Sequence, residues 1–396
     1  MDRQKLTRLG ALGIAALLLP FSILISPANH GRTRDGFVVH EWGTFTSINN
    51  KDGQAMTWRP LSVESDLPSF VHSLDQGQTW RGLRYRTKSS MFAQVRMETP
   101  VLYFYSHDEI DATVKVAFPG GEITEWYPQA RSTSNGIDWG QIRIIHPSAR
   151  TLLPSDTKQN HYFAARDTDS DVVEVSGKEQ TEHEKFLFYR GVGSFALPVA
   201  PAVRENAVTI KVSSTQPLGK GILFENRDGQ IGFEVLSLDT PEVVTKRPEV
   251  GMQRAELEQQ LKDMLVGAGL YEKEAVAMIA TWRNSWFEDG LRLFYIVPRP
   301  DTDKIMPLTI NPTPSTTVRV LVGRTELITP EMESNVTVQL QKFSDPSARS
   351  AAKKEILRYG RFTEAVLRQV ENTIIDVNAK TAADQLLAEL LQNPQH

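Results

Sequence analysis

Three short motifs hold the side chains best suited to chemistry. The first is His40-Glu41-Trp42, inside the run Phe37-Val38-Val39-His40-Glu41-Trp42-Gly43-Thr44-Phe45-Thr46. A His beside a Glu suits metal binding or acid–base work. Zinc proteases, however, set two His four apart on one helical face with the Glu between them, and no second His lies near His40. On a strand, neighbouring side chains point to opposite faces. His40 and Glu41 would then need partners from distant strands, and a half-buried strand with a hydrogen-bonded His is the competing reading. The second motif is Arg96-Met97-Glu98-Thr99-Pro100, and the third is Glu125-Trp126. His40, Glu41, Glu98 and Glu125 are the candidate catalytic residues of a hydrolase, with His40 as the candidate metal ligand. A glycosidase needs two carboxylates across a sugar, but nothing in the spacing shows that these glutamates meet. Arg96 and Glu98 equally suit a structural ion pair.

Trp42 and Trp126 are candidate ligand platforms, because an exposed indole stacks on sugar rings. Arg190 and Arg324 are the other candidate ligand-binding residues. Arg190 precedes Gly191-Val192-Gly193-Ser194, which lacks the Ser-between-glycines order of a nucleophile elbow and the third Gly of a dinucleotide loop. Arg324 belongs to a stretch in which Arg292, Arg299, Asp303, Arg319 and Glu326 alternate with apolar residues. Structural ion pairs are the default there, with an anion site as the alternative. Asp167-Thr168-Asp169-Ser170-Asp171 opens like a calcium loop, but Val172 stands where Gly is needed and Lys178 where Glu is needed. Arg81, Arg84, Arg86 and Lys88 beside Trp80 and Tyr85 form a small basic patch, read as a solvated loop or a contact to an anionic surface.

Composition narrows the classes. The chain has 396 residues, 40% hydrophobic and 23% charged, and a net charge of -4. That is ordinary globular composition, and the acidic balance excludes the basic footprint of a nucleic-acid binder. With 0 cysteines, disulfides, thiolate metal sites and cysteine nucleophiles are excluded. The sequence leaves the identity of any cofactor open. Arg3, Lys5 and Arg8 precede an apolar run from Leu9 to Ile25, and Ser26-Pro27-Ala28 supplies small residues for cleavage. Residues 1–28 are therefore expected to be a signal peptide, with an uncleaved inner-membrane anchor at residues 9–25 as the alternative. Either way the body lies outside the cytoplasm, in the periplasm or secreted. Cleavage takes the net charge from -4 to -6, since the removed part holds three basic groups and Asp2.

The elements that would position these residues are mostly strands. Segments 101–105, 112–118, 122–127, 142–145, 161–165, 172–175, 186–189 and 208–212 are short, apolar and bounded by turn residues. Segments 222–225 and 231–236 suit a hairpin closed at Asp228-Gly229. Sequential antiparallel pairing is the expected connectivity. Leu257, Leu261, Met264 and Leu265, then Ala275, Met278, Ile279, Trp282 and Trp286, follow helical spacing. They predict a helical hairpin inserted at about 251–288. Strands return at 291–297, 305–310 and 317–328. Thr329-Pro330-Glu331 then starts a helical region, with helices over 357–375 and 382–391. The fold class expected is α+β: a β-rich, sandwich-like body (29–330) with the inserted hairpin, followed by a helical C-terminal region (331–396).

The 37–46 run resembles the signature of a family of exported bacterial proteins. The stretches 96–101, 124–128, 186–191 and 322–326 resemble the same family. The resemblance implies export and one extended fold unit, and brings no activity, cofactor or substrate. The expected function is a non-enzymatic binding or envelope protein with a glycan or protein partner. The alternative is an extracytoplasmic hydrolase, metal-assisted in one form. Contact with a membrane is expected only through an uncleaved N-terminal segment. Mass spectrometry of the exported protein should find Asn29 at the N-terminus, whereas a chain beginning at Met1 would mean an anchor.

Overall fold

A computed structural model describes residues 36–392, apart from 63–66, 75–78, 81–82, 85–87, 134, 150, 158–159 and 178–179. The expected export segment, most of the basic stretch at 81–86, and Lys178 lie outside the described residues. Among the described residues no helix is long and apolar enough to cross a membrane.

The fold is α+β and β-rich. Its centre is a nine-stranded sheet built from β1 (Val38–Asn49), β2 (His72–Ser73), β3 (Val95–Tyr105), β4 (Gly121–Tyr127), β5 (Leu187–Gly193), β6 (Lys220–Arg227), β7 (Gln230–Ser237), β8 (Gly290–Val297) and β9 (Thr316–Leu327). The spatial order is β7-β6-β8-β9-β1-β3-β5-β4-β2. Valines, threonines and aromatics make β1 a good strand former, and it is buried almost throughout. Both of its faces are covered, which explains a run with little polar alternation.

On one face, Val39, Phe45, Leu102 and Tyr295 pack against a six-stranded sheet through Val114 and Ile142, and against a three-stranded sheet through Val208 and Ile210. This is the sandwich. On the other face, Trp42, Tyr103, Phe188 and Phe294 meet α1 (Arg254–Gly267) and α2 (Glu272–Trp286) through Leu257, Leu261, Met278 and Trp286. After α3 (Arg299–Ile305) and β9 come α4 (Pro330–Gln341), α5 (Arg349–Leu357), α6 (Thr363–Glu371) and α7 (Val377–Gln392). These four gather at the end of β1, where Ile48 and Ile328 join Val336, Leu340, Val366 and Leu386. Each such Leu, Ile or Phe gains roughly 1.5–3 kcal/mol from full burial.

Four expectations need correction. Pairing is not sequential: β1 runs parallel to β9, with Val38 opposite Thr316 and Asn49 opposite Leu327. A strand that is apolar on both faces must sit inside a sheet, but its own residues do not say between which neighbours. Residues 161–165 form a 3-10 turn instead of a strand, because the Asn160 side chain accepts from the Tyr162 N–H and starts the turn. The segment 305–310 divides between the end of α3 and a strand at Leu308–Asn311. The helix expected over 357–375 is interrupted at Gly360, whose φ is +53°.

Two of the sequence motifs meet at one bulge. The pairing of β1 with β3 shifts between Trp42 and Thr44, so that Thr99 and Pro100 together face Gly43. Pro100 has no N–H for the ladder, and the bulge places it where none is required. A Cβ on Gly43 would come 2.9 Å from the Cα of Pro100. Gly43→Ala is therefore expected to cost about 1–3 kcal/mol through overpacking. Urea unfolding measures this, and an unchanged midpoint would show that the backbones do not need that approach.

Candidate functional site

His40 and Glu41 lie on opposite faces of the central sheet. His40 faces the helical hairpin, where its Nδ1 is 2.8 Å from Glu274 Oε2. Glu274 sits in the first turn of α2 and accepts twice more, from the Tyr105 hydroxyl at 2.6 Å and the Tyr271 N–H at 2.7 Å. The last bond is part of the capping box of α2. The His40 ring also lies 4.2 Å from the Tyr271 ring. His40 and Glu274 are both buried, so the pair fastens the hairpin to the sheet. Glu41 points into the sandwich, bonded to Arg319 and the Tyr189 hydroxyl. Arg319 continues to Asp303 at 2.8 Å and to the Met306 carbonyl at 2.7 Å. Burial and the charge of Glu41 push the Tyr189 hydroxyl well above its ordinary pKa.

Glu98 and Arg324 come together beneath the end of α2. Arg324 donates to Glu326 at 2.7 Å, to Ser285 Oγ at 2.7 Å and to Glu288 at 2.6 Å. Arg361, from the turn before α6, bonds Glu98 and reaches Ser285 Oγ at 3.2 Å. Thr46 donates to Glu98 at 2.8 Å, and Arg96 lies 3.4 Å away. Burial alone would raise the pKa of Glu98, but Arg361, Arg96, Arg324 and the Thr46 hydroxyl together lower it to about 2. Arg292 adds a bond to Glu326 at 3.1 Å. Carboxylates and guanidiniums thus alternate across neighbouring strands under the helical layer.

Glu125 lies farther along the sheet with Lys88 at 2.7 Å, and Arg190 stands opposite it in register. Burial works against its charged form, but Arg190 and Lys88 outweigh burial and lower its pKa. Trp42 is fully enclosed against Tyr103 and has no face for a sugar ring. Trp126 is half-buried, with the His72 ring stacked at 6.4 Å. Glu98 thus shares a network with Arg324, and Glu125 a contact with Arg190, but His40, Glu41, Glu98 and Glu125 are held in separate contacts and do not converge on one pocket. Among the described residues, no three His, Cys, Asp or Glu side chains are placed to share a metal ion.

A cleft of about 380 Å³ opens beside the Arg324 network, where the ends of β6, β8 and β9 meet α4 and the 358–362 turn. Its floor is apolar: Ile48, Leu291, Leu327, Ile328, Met332 and Phe362. Its rim is ionic. Arg247 spans the rim, bonding Glu225 through Nε at 3.2 Å and lying 2.8 Å from Glu331 through Nη1. Arg358 bonds Asp228 on the β6–β7 turn and lies 3.7 Å from Asp289. Glu288 and Glu326 belong to both the cleft and the buried network. Burial opposes ionisation of Glu288, but Arg361, Arg324 and Arg292 lower its pKa. For Glu331 burial is likewise the largest influence, outweighed by the backbone, Thr329 and Arg247, and its pKa is also lowered. Glu288 and Glu331 are therefore held as carboxylates at neutral pH, suited to binding and not to donating protons.

Arg247, Glu288, Arg358 and Arg361 were not singled out by sequence reasoning. The only local signal was the Tyr359-Gly360-Arg361-Phe362 break in a helical stretch. No family model matches the chain, and no curated protein does so.

The Glu98 network has a pH signature. Its pKa of about 2 lies below the ordinary 4.5, so its stabilisation is complete above the ordinary value and is lost as pH falls through that window. Thermal unfolding should show stability dropping between pH 4.5 and pH 2. Glu98→Gln should lower stability at neutral pH by roughly 3–5 kcal/mol, as for a broken buried pair, and flatten that acid limb. An unchanged slope would remove Glu98 from the account.

Proposed function

We propose that the chain is an exported, non-enzymatic binding protein whose ligand sits in the cleft between the ends of the sheet strands and the C-terminal helices. The observation that carries this reading is the cleft itself. It has an apolar floor, an ionic rim, and about 380 Å³ of space, within the usual size of ligand pockets. The chemistry-bearing side chains of the three motifs support it indirectly. His40, Glu41, Glu98 and Glu125 are themselves buried and each is engaged by an ion-pair or hydrogen-bond partner, which leaves no group poised over a shared space. Among the described residues the cleft lining holds no tryptophan, so a protein partner's side chain or a small organic molecule suits it better than a stacked sugar.

The test is a thermal-shift screen of peptides, oligosaccharides and small organic ions on the mature chain. Met332 is only partly buried and lines the cleft, so Met332→Trp should fill it with little harm to the core. A true ligand should raise the melting temperature of the wild type by a few degrees at saturating concentration. It should shift the Trp variant little or not at all. Equal shifts in both proteins would move the site elsewhere, and turnover of a ligand would replace the binding reading.

A further inference from the structure

The charges around the cleft are unequal where a ligand would meet them. Three carboxylate side chains are at least half in water: Asp228 is 80% exposed, Glu331 60% and Asp289 50%. Only two guanidiniums come close to that, Arg358 at 41% and Arg227 at 47%. Arg247 is 11% exposed and already divided between Glu225 and Glu331. Arg324 and Arg292 lie underneath, fully enclosed and consumed by Glu326 and Glu288. The same lining holds one further acceptor: the Oδ1 of Asn335 is enclosed and receives no hydrogen bond. The surplus on offer is therefore acceptor and negative, set above the apolar floor of Ile328, Met332 and Phe362.

Resting on the cleft as the ligand seat, we infer that it recognises an organic cation: an apolar body ending in one ammonium or guanidinium group. The body lies on the floor, and the head replaces Arg358 between Asp228 and Asp289 or joins Arg247 at Glu331. Arg358 is the side chain best placed to yield. It projects from the end of α5, is partly in water, and is held by surface carboxylates alone. Exposed ion pairs of this kind contribute little to stability, so an entering cation can exchange with it at little cost. The same chemistry could arrive as a free amine or as a Lys or Arg side chain flanked by apolar residues on a partner chain.

The experiment is calorimetric titration of the mature chain with hexylammonium, hexylguanidinium, hexanol and hexanoate. In parallel, the blocked tripeptide Leu-Arg-Phe is compared with Leu-Gln-Phe. The cations should bind at least about tenfold more tightly than hexanoate, because a carboxylate placed beside carboxylates is repelled. The double substitution Asp228→Asn with Asp289→Asn, and Glu331→Gln separately, should weaken the cations by roughly threefold to tenfold and leave hexanol unchanged. These carboxylates are half or more exposed, and unchanged melting temperatures would confirm that the variants fold. Tighter binding of the Arg tripeptide than of hexylguanidinium assigns the cation to a partner chain, and the reverse assigns it to a free amine. Hexanoate binding as well as the cations, or cation binding indifferent to all three substitutions, overturns the inference. If hexanol is still displaced by Met332→Trp in that event, the cleft survives as a seat and only its charge preference falls. If no probe binds, or none responds to Met332→Trp, the seat falls as well.

Discussion

A guanidinium taken out of water must be surrounded by acceptors, or the fold loses several kcal/mol. Arg324 sets that requirement at the middle of this molecule. It is fully enclosed, and its three nitrogens are met from three elements: Glu326 on its own strand, Ser285 near the end of α2, and Glu288 just beyond. Arg361 then completes Glu98 and shares Ser285. The sheet, the hairpin and the C-terminal helices therefore hold positions set by one charge network, with apolar packing filling the space around it. The cleft lies beside this network, where α4 and the 358–362 turn meet the strand ends.

The sequence was most informative where chemistry and geometry are local. The apolar, β-branched content of 37–46 marked a buried strand, and the 3.6-residue spacing of Leu257, Leu261 and Leu265 marked α1. The α+β class followed from such segments. The opposition of His40 and Glu41 followed from strand geometry alone. The arginine stretch 292–326 carried a default of ion pairing, and Arg292, Arg319 and Arg324 do form such pairs.

What could not be read was long-range. Glu274 lies 234 residues from His40, and Arg361 lies 263 from Glu98. Neither partner has a local feature that names the other. The same holds for β1 and β9, since two strands buried on both faces are alike in composition. The cleft was invisible for a related reason. Its lining comes from the ends of elements, where residues such as Arg247 and Arg358 look like ordinary surface charges until tertiary structure places them around an apolar floor.

The parallel β1–β9 pair has a consequence for how the chain acquires its structure. Loop-closure entropy must be spent before so distant a contact gives anything back. Until residues 316–327 arrive, β1 has β3 on one side and an open row of backbone donors and acceptors on the other. Such an edge, long and apolar, is a template for aggregation. A chain released after α3 would keep that edge permanently. The fold thus makes the second half of the polypeptide a chaperone in cis for the first. Its central strand is protected only once residues 316–327 have reached it.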